Sequence, residues 1–150
     1  MLSPNQFKER WQADVVVREP LIDDLQLVAV PAERLAPLRL PQAAREFLAE
    51  AGLPRACAPF LCFEEVSKGL PRLWEVFAPG QWQPHEKAGL EHYLMIGSDG
   101  GGNPFCIDER DGKVVMLDHE LLFDLKKRDK RVTLTLMIAV GYTTTKASFT

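Results

Sequence analysis

The side chains best suited to chemistry in this chain of 150 residues are three histidines, three cysteines and a run of acids. His85, His92 and His119 occur in no HExxH or HxH spacing, so the pattern that aims two imidazoles at one metal is absent. Cys57, Cys62 and Cys106 form no CxxC, and an odd, sparse set makes a poor disulfide framework. Each has apolar neighbours, which predicts small buried thiols. Asp118-His119-Glu120 is the one tight acid–histidine cluster. Read as a strand end, it sends Asp118 and His119 to opposite faces and gives no ready dyad. No GxSxG elbow supplies a nucleophile. A hydrolase built on Asp118 and His119 therefore has little support.

The stretch Gly97-Ser98-Asp99-Gly100-Gly101-Gly102 invites comparison with phosphate loops. A P-loop continues into Lys-Ser/Thr, whereas Asn103-Pro104 follows here. A dinucleotide loop opens a helix whose N-terminus meets the pyrophosphate, whereas Pro104-Phe105-Cys106-Ile107 reads as a strand. Its acids do not alternate as in an EF-hand. The segment reads as a mobile connection between two strands, and no cofactor or metal is expected.

Charge is more informative. Between Asp99 and Asp124, seven acids stand against Arg110 and Lys113. The bland reading is a solvated turn surface. The functional reading is an acidic face that steers a basic protein partner, with Asp99, Asp108, Glu109, Asp111, Asp118 and Glu120 as candidate contacts. Lys126-Lys127-Arg128-Asp129-Lys130-Arg131 then carries five bases and one acid. It has no interleaved aromatic residue to stack bases, and the net charge of -3 and pI of about 5.6 also argue against nucleic acid.

The elements that must position these residues can be read from pattern. Ser3-Pro4-Asn5-Gln6 predicts a capping box opening a short helix, with Phe7 and Trp11 on one face. Leu27 to Val30 predicts a short strand ended by Pro31. Pro41 to Ala51 is the clearest helix. Proline starts it, Gly52 follows it, and Ala44, Phe47, Leu48 and Ala51 form one apolar stripe. Phe60 to Phe63 and Leu73 to Phe77 predict strands, as do Tyr93 to Gly97 and Pro104 to Asp108. Asp111-Gly112 predicts a two-residue type I′ hairpin, which would set Ile107 opposite Met116 and Cys106 opposite Leu117. Val132 to Val140 predicts a last strand. An early helix followed by a meander of short strands gives an α+β fold, with a central antiparallel sheet of short strands flanked by helices.

The composition, 46% hydrophobic and 26% charged, is that of an ordinary globular chain, and the length predicts a single domain over 1–150. Met1 to Gln6 lacks the basic and apolar regions of a signal peptide, and no apolar run approaches the ~18 residues of a membrane span. A cytoplasmic location is expected.

Several motifs recur in a familiar order. Leu40-Pro41 enters a helix that ends Phe47-Leu48-Ala49-Glu50-Ala51-Gly52-Leu53-Pro54. Leu94-Met95-Ile96-Gly97-Ser98-Asp99-Gly100-Gly101-Gly102-Asn103-Pro104 follows, then Cys106-Ile107-Asp108, Gly112-Lys113-Val114-Val115 and Leu117-Asp118-His119-Glu120. Over residues 40–120 this resembles the SUKH superfamily, in its bacterial immunity-protein branch. The resemblance implies an α+β fold and a non-enzymatic protein that binds and neutralises a toxin domain, often a nuclease. The alternative it leaves is a regulatory or scaffolding adaptor with an endogenous protein partner. It carries over no catalytic residues; Gly52 would end a helix, and Gly97 and Gly112 would form turns. The branch usually closes on a C-terminal helix, whereas residues 134–150 include Thr143-Thr144-Thr145, which is poor helix material.

Overall fold

A computed structural model describes residues 2–18, 25–57, 61–122, 132–133 and 148–149. Helix α1 (Pro4–Trp11) opens with the expected capping box: Ser3 Oγ accepts the Gln6 N–H, and Gln6 Oε1 accepts the Ser3 N–H. Phe7 stacks on Trp11 and also tilts against Phe47 of α3 (Gln42–Glu50), which binds the two helices together. The helix runs on as a π-helical segment, Gln12–Val16. Strand β1 (Leu27–Val28) pairs antiparallel with β2 (Leu53–Pro54), and the short helix α2 (Ala32–Leu35) lies between β1 and α3 in sequence. Arg45 of α3 reaches back to α2, donating to the carbonyls of Leu35 at 2.6 Å and Leu38 at 2.7 Å. The Leu35 carbonyl lies at the end of α2 and also accepts the Leu38 N–H, and the Leu38 carbonyl lies just past that end.

The main sheet runs β3 (Ala56–Cys57), β4 (Leu61–Phe63), β5 (Tyr93–Asp99), β6 (Pro104–Asp108), β7 (Val114–Met116), β8 (Val132–Thr133), β9 (Ser148–Phe149), each antiparallel to the next. Of the strand expected over Val132 to Val140, only Val132–Thr133 falls among the described residues. Alternate residues of the central strands feed two cores. Leu94, Ile96 and Ile107 join Val30, Leu35 and Leu48 on one face. Tyr93, Met95, Cys106 and Val115 join Leu73, Trp82 and Leu90 on the other. Covering both faces explains why β5 reads as an unbroken apolar run instead of an alternating one.

Several expectations about the elements need correction. Leu73–Val76 is a helix, α4, not a strand. Five residues cannot separate the two periods, and the local chemistry favours the helix: Glu75 accepts the Arg72 N–H at 2.7 Å, and the Phe77 N–H reaches Leu73 O at 2.8 Å. The β6–β7 hairpin also has a longer loop. Ile107 faces Val114 and Cys106 faces Val115, two residues away from the expected register. A type I′ turn needs positive φ at both central residues, but of Asp111 and Gly112 only Gly112 has it, at 73°. The Asp108 N–H instead bonds Lys113 O, so four residues span the turn. Gly97 is not in a turn but inside β5, at a bulge after Met95. A Cβ there would stand 2.2 Å from Cys62 O of the neighbouring strand, so only glycine lets the strands close. Lastly, Asp118-His119-Glu120 is a helix start: α6 spans His119–Leu122, and Asp118 Oδ1 accepts the Glu120 N–H at 2.9 Å.

Helix α5 (Pro84–Leu90) packs beside α4, and Lys87 Nζ lies 4.9 Å from the Trp74 ring centre. Cys106 is a buried thiol as expected, and burial pushes its pKa up, which keeps it protonated and inert. Cys62 is exposed, against expectation, because neither core reaches its side chain on β4. The side chain of Cys57 lies outside the described residues.

Candidate partner-binding surface

The six candidate acids do not form one face. Strand β6 separates them into two groups roughly 14 Å apart, the length of five extended residues. Asp108, Glu109 and Asp111 stand at the hairpin end. Asp99, Asp118 and Glu120 stand at the other, where β5 turns into β6 and α6 begins. Asp124 and the basic run from Lys126 to Arg131 lie outside the described residues.

At the hairpin end, two acids are buried and engaged. Asp108 is 4% exposed and Glu109 7%. Asp108 is gripped from both oxygens by Arg110, with Nη2 at 2.6 Å, and its Oδ1 also accepts the Arg110 N–H. Burial raises its pKa, and the bonds from Arg110 outweigh this to leave it below the ordinary value. Glu109 accepts the Arg39 N–H at 2.9 Å on one oxygen and pairs with the Arg72 guanidinium on the other. Arg72 also donates to Glu91 O at 2.6 Å. Burial again pushes the Glu109 pKa up, and Arg72 with the Arg39 N–H bring it below normal. Asp111 is exposed and pairs loosely with Lys113 at 3.4 Å.

At the opposite end, Asp99 organises the glycine-rich turn. Its Oδ1 accepts the Gly101 and Asn103 N–H groups, each at 2.9 Å, and its Oδ2 accepts Asn103 Nδ2 at 3.0 Å. Partial burial raises its pKa, and these bonds outweigh that and lower it. Asn103 Oδ1 then accepts the His119 N–H at 3.1 Å and lies 3.0 Å from His119 Nδ1. Since Asn103 presents its oxygen, the network assigns the proton of a neutral His119 to Nδ1. The chain Asp99–Asn103–His119 thus locks the turn to the start of α6. Among the described residues, no Ser, Thr or Cys bonds to the His119 ring, and no three His, Cys, Asp or Glu residues gather as a metal site. Asp118 is half-buried at the helix start, and Glu120 is exposed.

A third region was not visible in the sequence. A groove of about 640 Å³ opens between α2 with the chain after it and the segment from Glu64 to Pro71. Leu38, Leu70, Pro37 and Pro71 contribute its apolar surface, and Glu33, Glu64, Glu65 and Glu75 its carboxylates. Glu109 joins the two walls, because Arg39 follows the first and Arg72 follows the second. Neither Glu33 nor Glu64 stands in any acid-rich run, and Arg72 and Arg45 have no spacing that marks them. No sequence signal could have found this site, since tertiary folding alone brings its walls together.

A family described as SUKH-4 immunity protein matches residues 3–121, which extends the motif region back through α1. No curated protein and no solved structure matches the chain. Among the described residues, no helix is long and apolar enough to cross a membrane.

Proposed function

We propose that this chain, which belongs to the SUKH-4 immunity protein family, binds a toxin domain and holds it inactive by contact, without catalysis of its own. The supporting observation is the family match over residues 3–121, which takes in the first core, all of the second but Leu122, and strands β1 to β7. In this reading the partner is a protein made or delivered into the same cytoplasm. Asp111 and Glu120, exposed at the two ends of the sheet, add a negative field that speeds the approach of a basic domain. Asp108 and Glu109 serve the complex indirectly, by fixing the hairpin end.

A tagged pull-down from the producing cells tests this. The expected result is stoichiometric recovery of a toxin domain from a large secreted protein, with growth rescued when that domain and this chain are co-expressed. Recovery of an endogenous regulatory protein would replace the reading with the adaptor alternative. Soluble, folded protein that captures nothing would overturn both.

A further inference from the structure

We infer that the groove between α2 and the Glu64–Pro71 segment is the docking site, and that it takes a basic, partly apolar segment of the partner protein. This rests on the immunity reading for the partner's class, but on the groove's own chemistry for the segment's character. Lys68 is committed to Glu65 at 2.9 Å, and the stem of Arg34 lies against Gly69, 3.3 Å from where a Cβ would stand. Glu75 accepts the Arg72 N–H. Glu33 and Glu64 make no side-chain hydrogen bond or ion pair among the described residues, yet both line the same concavity. Arg34 lines it as well, so the lining sets four carboxylates, Glu33, Glu64, Glu65 and Glu75, against Arg34 and Lys68, and this excess of negative charge around an apolar surface favours an incoming cation. Leu38 and Leu70 favour the aliphatic stem of arginine or a neighbouring leucine. The groove is also held open at a fixed width. Glu109 accepts from Arg39 N on one side and from Arg72 on the other, so the walls are already set when the segment arrives. At the other end of the sheet the carboxylate of Asp99 is saturated by its own turn.

The test is an NMR titration of isotope-labelled protein with the peptide acetyl-Arg-Leu-Arg-Leu-Arg-amide, with acetyl-Glu-Leu-Glu-Leu-Glu-amide as its control. We expect the basic peptide to shift the amides of Glu33, Arg34, Glu64, Gly69 and Leu70, and the acidic peptide to leave them in place. The double variant E33Q/E64Q should weaken the basic peptide roughly fivefold, the size of two half-exposed ion pairs. The variant E9Q, on the exposed side of α1 and outside the groove, should not change it. The spectrum itself reports that each variant is folded. Shifts confined to Asp99–Asn103 and His119–Glu120, equal response to the acidic peptide, or no response in the groove at millimolar peptide would overturn the inference. The pull-down separates the two ideas. A toxin captured equally well by E33Q/E64Q refutes the groove and keeps the immunity reading. A seated peptide with no toxin captured refutes the immunity reading and keeps a groove for basic segments.

Discussion

Glu109 and Glu64 carry the same carboxylate into opposite circumstances. Glu109 is buried at the tip of β6, with Arg72 on one oxygen and the Arg39 N–H on the other. Glu64 follows β4 into the wall of a groove, with its side chain bound to nothing among the described residues. The fold has supplied the first with a cation and left the second without one. A buried charge that is fully paired specifies geometry and is expensive to disturb. An unpaired, partly solvated charge contributes little to the fold and keeps its interaction energy for something else. Sequence places Glu109 in the acid-rich run and Glu64 outside it, so local acid density does not separate a paired carboxylate from an unpaired one.

That contrast can be broken in several ways. The largest effect belongs to Glu109→Ala, which leaves Arg72 without its anion and the Arg39 N–H without an acceptor. Urea unfolding should show a loss of about 3 kcal/mol. A loss within the scatter of surface mutations would erase the distinction. Acid should act on the same groups. Asp99, Asp108 and Glu109 all have lowered pKa values, so in acid the unfolded chain binds more protons than the native one. Their stabilisation is complete above the ordinary carboxylate range of about 4 and declines as pH falls through it. Chemical denaturation from about pH 6 down to about pH 3, across the ordinary carboxylate range and below it, should show this decline, shallower in Glu109→Ala.

Asn103→Ala comes next. It removes the acceptor for the His119 N–H and the donor to Asp99 Oδ2, at a cost of about 1.5 kcal/mol, with amide exchange rising first around Gly101 and His119. The smallest effect is the most telling. E33Q/E64Q should alter stability by no more than about 0.5 kcal/mol. A large loss in thermal unfolding would mean these acids are structural after all.

What sequence made legible follows the range of the interactions. Helix α3 was readable because its stripe, its entering proline and its terminal glycine are all local. The capping box at Ser3 and Gln6 was readable for the same reason. The order of SUKH motifs was readable because it is a property of the chain, and the family extends it to residues 3–121. Leu73 to Phe77 was misread as a strand because five residues fit either period, and the deciding bond runs from Arg72 to Glu75. The hairpin register was misread because Asp-Gly suits several loops, and Asp108 with Arg110 selects the longer one. Among the candidate site residues, the sequence grouped six acids by proximity, and the antiparallel turn of β6 parted them. The groove lay beyond reach because Glu33 and Glu64 come to line one concavity only through the placement of α2 beside the chain that follows β4.

The grip of Arg45 on the end of α2 has a kinetic meaning. A helix of four residues has almost no persistence of its own. Two carbonyls held by one guanidinium make it part of α3's rigid body instead. The entropy of ordering the Glu33 wall is thus surrendered once, when the chain folds, and is not charged again at each encounter. Association at such a surface is limited by collision and orientation, and its strength is written in how slowly the complex comes apart.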